Sequence, residues 1–178
     1  MRILSLWLAA TMFTVAWARP PAEVVRRVYD VHLQEDRLDR TVAKTEDCFT
    51  PGFLGIIERA LARKPGPGGF VDIDFLTNSQ GGWGDFEIGP VSITGKEATV
   101  QVRVWSGLRS HGPDGPLAPA ERKAMRTRIE PQQLKVYLVD VGEGFQIKDF
   151  EFAPSGQGSQ RLPAFHVRPW LKDLAEKP

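Results

Sequence analysis

Asp72 and Asp74 stand two residues apart in the run Val71-Asp72-Ile73-Asp74-Phe75-Leu76-Thr77-Asn78-Ser79-Gln80. Paired carboxylates suit two kinds of chemistry, moving a proton and holding a cation. In an extended chain side chains repeat every two residues, so both acids project from one side and repel unless a proton, a cation or hydrogen-bond donors intervene. Asn78, Gln80 and Asp85 would complete an oxygen-rich shell. The run lacks, however, the glycine and terminal glutamate of the helix-loop-helix calcium pattern, so no metal is expected. The plainer expectation is that the two acids cap turns or accept backbone donors where the chain leaves the glycine-rich loop before them.

Aromatic and guanidinium groups supply a second set. Trp83 lies among glycines in Gly81-Gly82-Trp83-Gly84, a setting that reads as a flexible loop in which core packing is less automatic. Trp105 shares a strand face with Gln101 and Arg103, and an aromatic beside a guanidinium holds an anionic or sugar-like ligand by stacking and bidentate hydrogen bonding. Packing in the core is the competing account of Trp105. His32, His111 and His166 are too far apart for metal-ligand spacing. His32 falls on the stripe of Val25 and Tyr29, which reads as a packed, hydrogen-bonded imidazole. Ser79, Ser92 and Ser106 lack a nucleophile-elbow context, and no lysine-serine or lysine-threonine follows the glycines to make a phosphate loop. No connected catalytic motif and no cofactor motif is present.

Cys48 is the only cysteine, so no internal disulfide forms and stability must come from packing. Its neighbours Glu46 and Asp47 would raise the thiol pKa, the opposite of what a nucleophile needs, and a small buried apolar role is expected. With 23 basic and 22 acidic residues in 178, the chain has no excess charge to neutralise a phosphate backbone or an anionic membrane surface. That excludes a dedicated nucleic-acid binder and fits one globular domain.

Met1-Arg2 precedes an apolar run from Ile3 to Ala16, and Ala16-Trp17-Ala18 is a small-x-small site just before Arg19-Pro20-Pro21. This reads as a Sec-type signal peptide over residues 1–18, leaving residues 19–178 as a single periplasmic or extracellular domain. The run is too short to span a bilayer, so no membrane span is expected after its removal, and no cysteine ends it as a lipoprotein would require.

The elements that must position these groups follow from periodicity. Ala22 to Arg37 carries Val24, Val28 and Val31 on one stripe and Val25, Tyr29 and His32 on the next, an amphipathic helix opened by Pro21. A short, polar surface helix is expected over 39–45. A third has Thr50 as its cap, Pro51 in the first turn, and Phe53, Leu54, Ile57 and Leu61 as its buried stripe. From Phe70 the period becomes alternating, the pattern of an antiparallel sheet. Strands are expected over 85–94, with Gly89-Pro90 marking a bulge or an edge, and over 98–106, 132–141 and 145–152, the last two forming a hairpin through Gly142-Glu143-Gly144. Between the second and third of these strands, 120–129 reads as a short helix whose basic face of Arg122, Lys123, Arg126 and Arg128 is solvated, or its end extends the next strand. Phe165, Val167, Trp170 and Leu171 in the tail predict docking against the domain.

Three elements together resemble the nuclear transport factor 2-like superfamily, and within it a bacterial family of small secreted domains of unknown function. They are the helix Val24 to His32 with its central Tyr29-Asp30, the acidic stretch ending in Gln80, and the closing Gly144-Phe145-Gln146-Ile147-Lys148-Asp149, where Phe145 stands in place of a tryptophan. The resemblance implies an α+β fold with N-terminal helices packed on a strongly curved, cone-shaped antiparallel sheet, and a cavity on its concave side. Members use that side as a ligand or catalytic pocket or as a protein-binding surface, and in the superfamily's enzymes an Asp/His pair within the cone often transfers protons. Combined with the residues above, the expected function is a non-catalytic binding or interaction module for an unknown small molecule or protein. Its expected ligand-binding residues are Tyr29, Asp72, Asp74, Gln80, Trp83, Arg103 and Trp105. Two alternatives stand beside it. One is a small-molecule enzyme using Asp72 or Asp74, with His32, for proton transfer; the other is a protein-partner role, either homodimerisation or neutralisation of another secreted protein in the manner of an immunity protein.

Overall fold

The computed structural model describes residues 18–35, 37–63, 74–78, 83–106, 111–112, 115–116, 118–154 and 164–176. The proposed leader, apart from Ala18, therefore lies outside the described residues, as do Asp72 and Gln80.

The valine stripe winds into α1 (Pro21–Glu35), which buries Val24, Val25, Val28, Tyr29, His32 and Leu33. Its first turn is closed by the Glu23 and Val24 amides donating to the Pro20 carbonyl. The next helix, α2 (Leu38–Lys44), is not the surface element its polarity predicts, because Thr41 and Val42 are buried. Burial is tolerated because the threonine hydroxyls are satisfied locally. Thr41 Oγ1 donates to the Arg37 carbonyl at 2.9 Å, and Thr45 Oγ1 donates to the Thr41 carbonyl at 2.7 Å. A 3-10 turn (Glu46–Cys48) then drops Cys48 into the core.

α3 (Pro51–Leu61) buries Phe53, Ile56, Ile57 and Ala60, while Leu54 and Leu61 pack at the margin of that stripe. Thr50 does not cap through its side chain as expected. Instead its carbonyl accepts the Phe53 and Leu54 amides, and its own amide donates to the Ile147 carbonyl, tying the helix entry to the sheet. The stretch expected to turn extended after Phe70 is, over 74–78, a turn: the amides of Thr77 and Asn78 both donate to the Asp74 carbonyl. Asn78 closes it at φ 50°, a left-handed conformation that asparagine tolerates better than most residues.

The sheet is antiparallel and five-stranded, in the order β1 (Trp83–Thr94), β2 (Glu97–Ser106), β5 (Gln132–Asp140), β6 (Phe145–Phe152) and β7 (Phe165–His166). A two-residue pair, β3 (His111–Gly112) and β4 (Gly115–Pro116), and the helix α4 (Pro119–Arg126) lie between β2 and β5. The expected irregularity at Gly89-Pro90 is present as a register shift between Ile88 and Val91, on an edge strand. Further shifts lie between Trp83 and Asp85 at the start of β1, and between Tyr137 and Leu138 where β5 pairs with β6. The tail docks as expected: α5 (Val167–Glu176) buries Val167 and Leu171, and Arg63 donates to the Leu174 carbonyl.

Alternation divides the sheet into two faces. Val100, Val102, Val104, Leu134, Val136 and Leu138 are buried against the helices, and the residues between them point outward. The helix-facing layer is dense with rings. Phe49, Phe53, Phe150 and Phe75 follow one another at centroid separations of 6.0–6.2 Å, and Tyr29 stacks on Phe86 at 5.3 Å. Burying each such ring contributes about 1.5–3 kcal/mol, so this layer is the main source of stability in a chain with no disulfide. No helix among the described residues is long and apolar enough to cross a membrane.

Candidate functional site

Of the expected site residues, Tyr29 and Asp74 lie on the helix side of the sheet and Arg103 and Trp105 on its outer face, while Asp72, Gln80 and the Trp83 side chain lie outside the described residues. Tyr29 is fully buried in the helix layer, where its hydroxyl donates to the Leu76 carbonyl at 2.9 Å. Burial first, and the nearby Asp74 carboxylate second, push its pKa well above the usual tyrosine value.

Asp74 is held at both oxygens. Oδ1 accepts the Leu76 amide at 2.8 Å, closing the turn, and Oδ2 lies 2.5 Å from His32 Nε2. The backbone-capping reading of this acid is therefore realised, and the packed, hydrogen-bonded reading of His32 with it: the imidazole is only 2% exposed. The other ring nitrogen, Nδ1, is 2.8 Å from Thr41 Oγ1. The Arg37 carbonyl, which already accepts the Thr41 amide, also lies within reach of that hydroxyl, so Oγ1 bridges the ring and the entry of α2. The Nε2–Oδ2 contact needs a proton between its two atoms, because two bare acceptors would repel at 2.5 Å. The chain Arg37–Thr41–His32–Asp74–Leu76 staples α1, α2 and the 74–78 turn together.

Trp83 does not sit in a loop: its backbone opens β1 opposite Ser106, although its side chain lies outside the described residues. Arg103 and Trp105 do lie together on the outer face, the guanidinium carbon 5.9 Å from the ring centroid. Trp105 is buried yet stands apart from the helix-side core, because a second cation covers it: Arg126 of α4 lies 4.6 Å above the ring. Arg126 Nε donates to Asp85 Oδ2 at 2.5 Å, Nη2 donates to the Phe86 carbonyl at 3.0 Å, and Nη1 approaches Glu87. Glu87 in turn pairs with Arg103 at 2.5 Å. Asp85, which by its sequence position would fit an oxygen-rich shell, is thus an anchor for α4. Its hydrogen bond is the leading cause that raises the Arg126 pKa. In sequence the basic face of α4 reads as solvated, and only the folded chain shows that its Arg126 meets β1.

Two open spaces flank this anchor. A groove of about 500 Å³ crosses the outer face, lined chiefly by Glu87, Gln101, Arg103, Gln133, Lys135 and Glu151. Its charges are arranged as cross-strand pairs, Arg103 with Glu87 and Lys135 with Glu151 at 3.3 Å. Glu151 also accepts from Tyr137, and that bond is the largest cause holding its carboxyl below the usual range; Lys135 adds to it. Gly89 belongs to the same groove, and a side chain there would press on the Gln101 backbone. The second space, about 590 Å³, lies between α1, α4 and β1. Neither space is lined by Asp74 or His32.

Cys48 is fully buried, and burial followed by the Asp47 charge raises its thiol pKa; Arg27 and Arg19 only partly offset this. No group of three or more His, Cys, Asp or Glu able to hold a metal ion occurs among the described residues. No protein-family model, curated protein or solved structure matches the chain.

Proposed function

We propose that this chain is an exported, non-catalytic binding module that takes a polar ligand on the outer face of its sheet. Export rests on the apolar run Ile3–Ala16 and the Ala16-Trp17-Ala18 site. Membership of the nuclear transport factor 2-like superfamily is part of the same reading. Its support is the order of elements, helices before an antiparallel sheet, and the register shifts in β1 and in the β5–β6 pairing, since such irregularities bend strands.

The observation that carries the functional reading is the outer-face groove. Its cations and carboxylates alternate across the strands with Gln101 and Gln133 between them, a surface rich in both donors and acceptors. Such a surface suits a ligand with matching groups, a peptide backbone or a saccharide, better than a bare ion. The second reading, proton transfer by Asp74 with His32, draws on the 2.5 Å contact between them. Against it, both carboxylate oxygens are already engaged in joining the 74–78 turn to α1.

Amide NMR shifts during titration with short neutral peptides and with oligosaccharides test the reading. The expected result is saturable shifts at Gln101, Arg103, Gln133 and Lys135 with at least one ligand class, weakened by Arg103→Ala. Titrations that leave these amides unmoved while shifting His32 and Asp74 would replace the binding module with the second reading.

A further inference from the structure

The space between α1, α4 and β1 is lined by Arg26 and Asp30 of α1, Arg122, Lys123 and Arg126 of α4, and Asp85 of β1. Arg26 and Asp30 are one helical turn apart, as are Arg122 and Arg126, so each pair lies on one face of its helix. Arg126 and Asp85 satisfy each other. Among the described residues that leaves three cations and one carboxylate, a net charge of plus two, around about 590 Å³. Packing three cations about one acid costs repulsion unless a further anion enters. One donor is poised for it: the Nε of Arg122 is buried and has no hydrogen-bond partner among the described residues. A buried N–H without a partner is uncommon in native proteins and costs about 1–3 kcal/mol, which marks a place where something else is received.

We propose that this space is a binding site for a dianionic phosphate-monoester group, held by the guanidinium forks of Arg26 and Arg122 and by the Lys123 ammonium. The residual charge matches a dianion. Planar guanidinium groups present the paired donors that tetrahedral oxyanions accept bidentately, and the ammonium adds a compact charge. Asp30 sets the limit on affinity as the one carboxylate that competes for the same cations. It lines the same space, and its carboxyl is held above the usual range by burial, against the pull of Arg26 and Arg122. The site is separate from the outer-face groove, and the proposal stands or falls without it.

The test is titration of the purified protein with phenyl phosphate at fixed ionic strength, followed by amide NMR and thermal melting, with benzenesulfonate as the monoanionic control. Expected are saturable shifts at Arg26, Asp30, Arg122 and Lys123, a rise in Tm with phenyl phosphate, and clearly weaker binding of the sulfonate. Arg122→Ala is expected to weaken binding by about tenfold or more, the loss of a charge-assisted hydrogen bond. Asp30→Asn removes the competing carboxylate, leaves every cation in place, and is expected to tighten binding. Shifts confined to other residues, equal stabilisation by the two anions, or unchanged affinity in Asp30→Asn would each overturn the proposal.

Discussion

Replacing Asp74 by asparagine and by alanine separates the proton argument from simple packing. In Asp74→Asn the amide oxygen still accepts the Leu76 amide, and the amide nitrogen donates to His32 Nε2, provided that nitrogen has lost its proton. One charge-assisted bond becomes a neutral one, a difference of about 1 kcal/mol. Asp74→Ala removes both acceptors. It takes the carboxylate away from a buried imidazole and leaves the Leu76 amide uncapped, a loss of about 2–4 kcal/mol. At the scaling appropriate to a domain of this size, Tm falls by about 2–4 °C for asparagine and by about twice that or more for alanine. The decisive readout is the ¹⁵N spectrum of His32. The native ring should carry a strongly downfield Nε2 proton hydrogen-bonded to Asp74, and Asp74→Asn should lose that signal. A native ring bare at Nε2 would refute the assignment, because two acceptors would then face each other. Equal destabilisation by the two substitutions would refute the energetic part.

Tyrosine ionisation should lag in the folded protein, because Tyr137 is pushed up to about 12, first by burial and then by Glu151, and Tyr29 is raised well above its usual value. Stability from Tyr137 is therefore full below pH 10 and is lost as pH rises from there through about 12, whereas Glu151, held low, contributes above its unfolded pKa and loses that contribution as pH falls. Tyrosinate absorbance against pH, with and without denaturant, checks the first; urea midpoints of Tyr137→Phe across pH 2–6 check the second, with the gap to the native protein closing at the acid end. Gly144 sits at φ 129°, and a Cβ there would come within 3.0 Å of the Arg19 amide nitrogen. Gly144→Ala should cost about 1–3 kcal/mol in chemical denaturation, while Gly95→Ala, at φ 59° with open space around it, should cost only the backbone term of about 1 kcal/mol.

Local rules decide a great deal here. The sheet strands were legible because Val100, Val102 and Val104 alternate with Gln101, Arg103 and Trp105 without interruption, and β6 begins and ends where its sequence pattern does. The first and third helices were legible from their stripes and prolines. What local rules could not supply was the partner of each polar group. Thr41 looks like a surface residue until His32 arrives from another helix, and Trp105 looks like a core residue until Arg126 covers it from outside. Asp74 was read correctly as a backbone acceptor, yet its second oxygen answers to a residue 42 positions away, a separation no periodicity encodes. The cations of α4 gave the same difficulty: their face was visible in the sequence, and what it faces was not.

The irregularity at Gly89-Pro90 matters beyond the groove it helps to shape. β1 is a long strand at the rim of the sheet, and Val91 and Ile93 near its end are exposed. An uninterrupted rim of that kind is a template on which a sister molecule adds strand after strand. Pro90 has no amide proton to offer, and the shift in pairing beside it throws an incoming ribbon out of step within a few residues. A break of that kind in the rim works against backbone pairing between one molecule and the next.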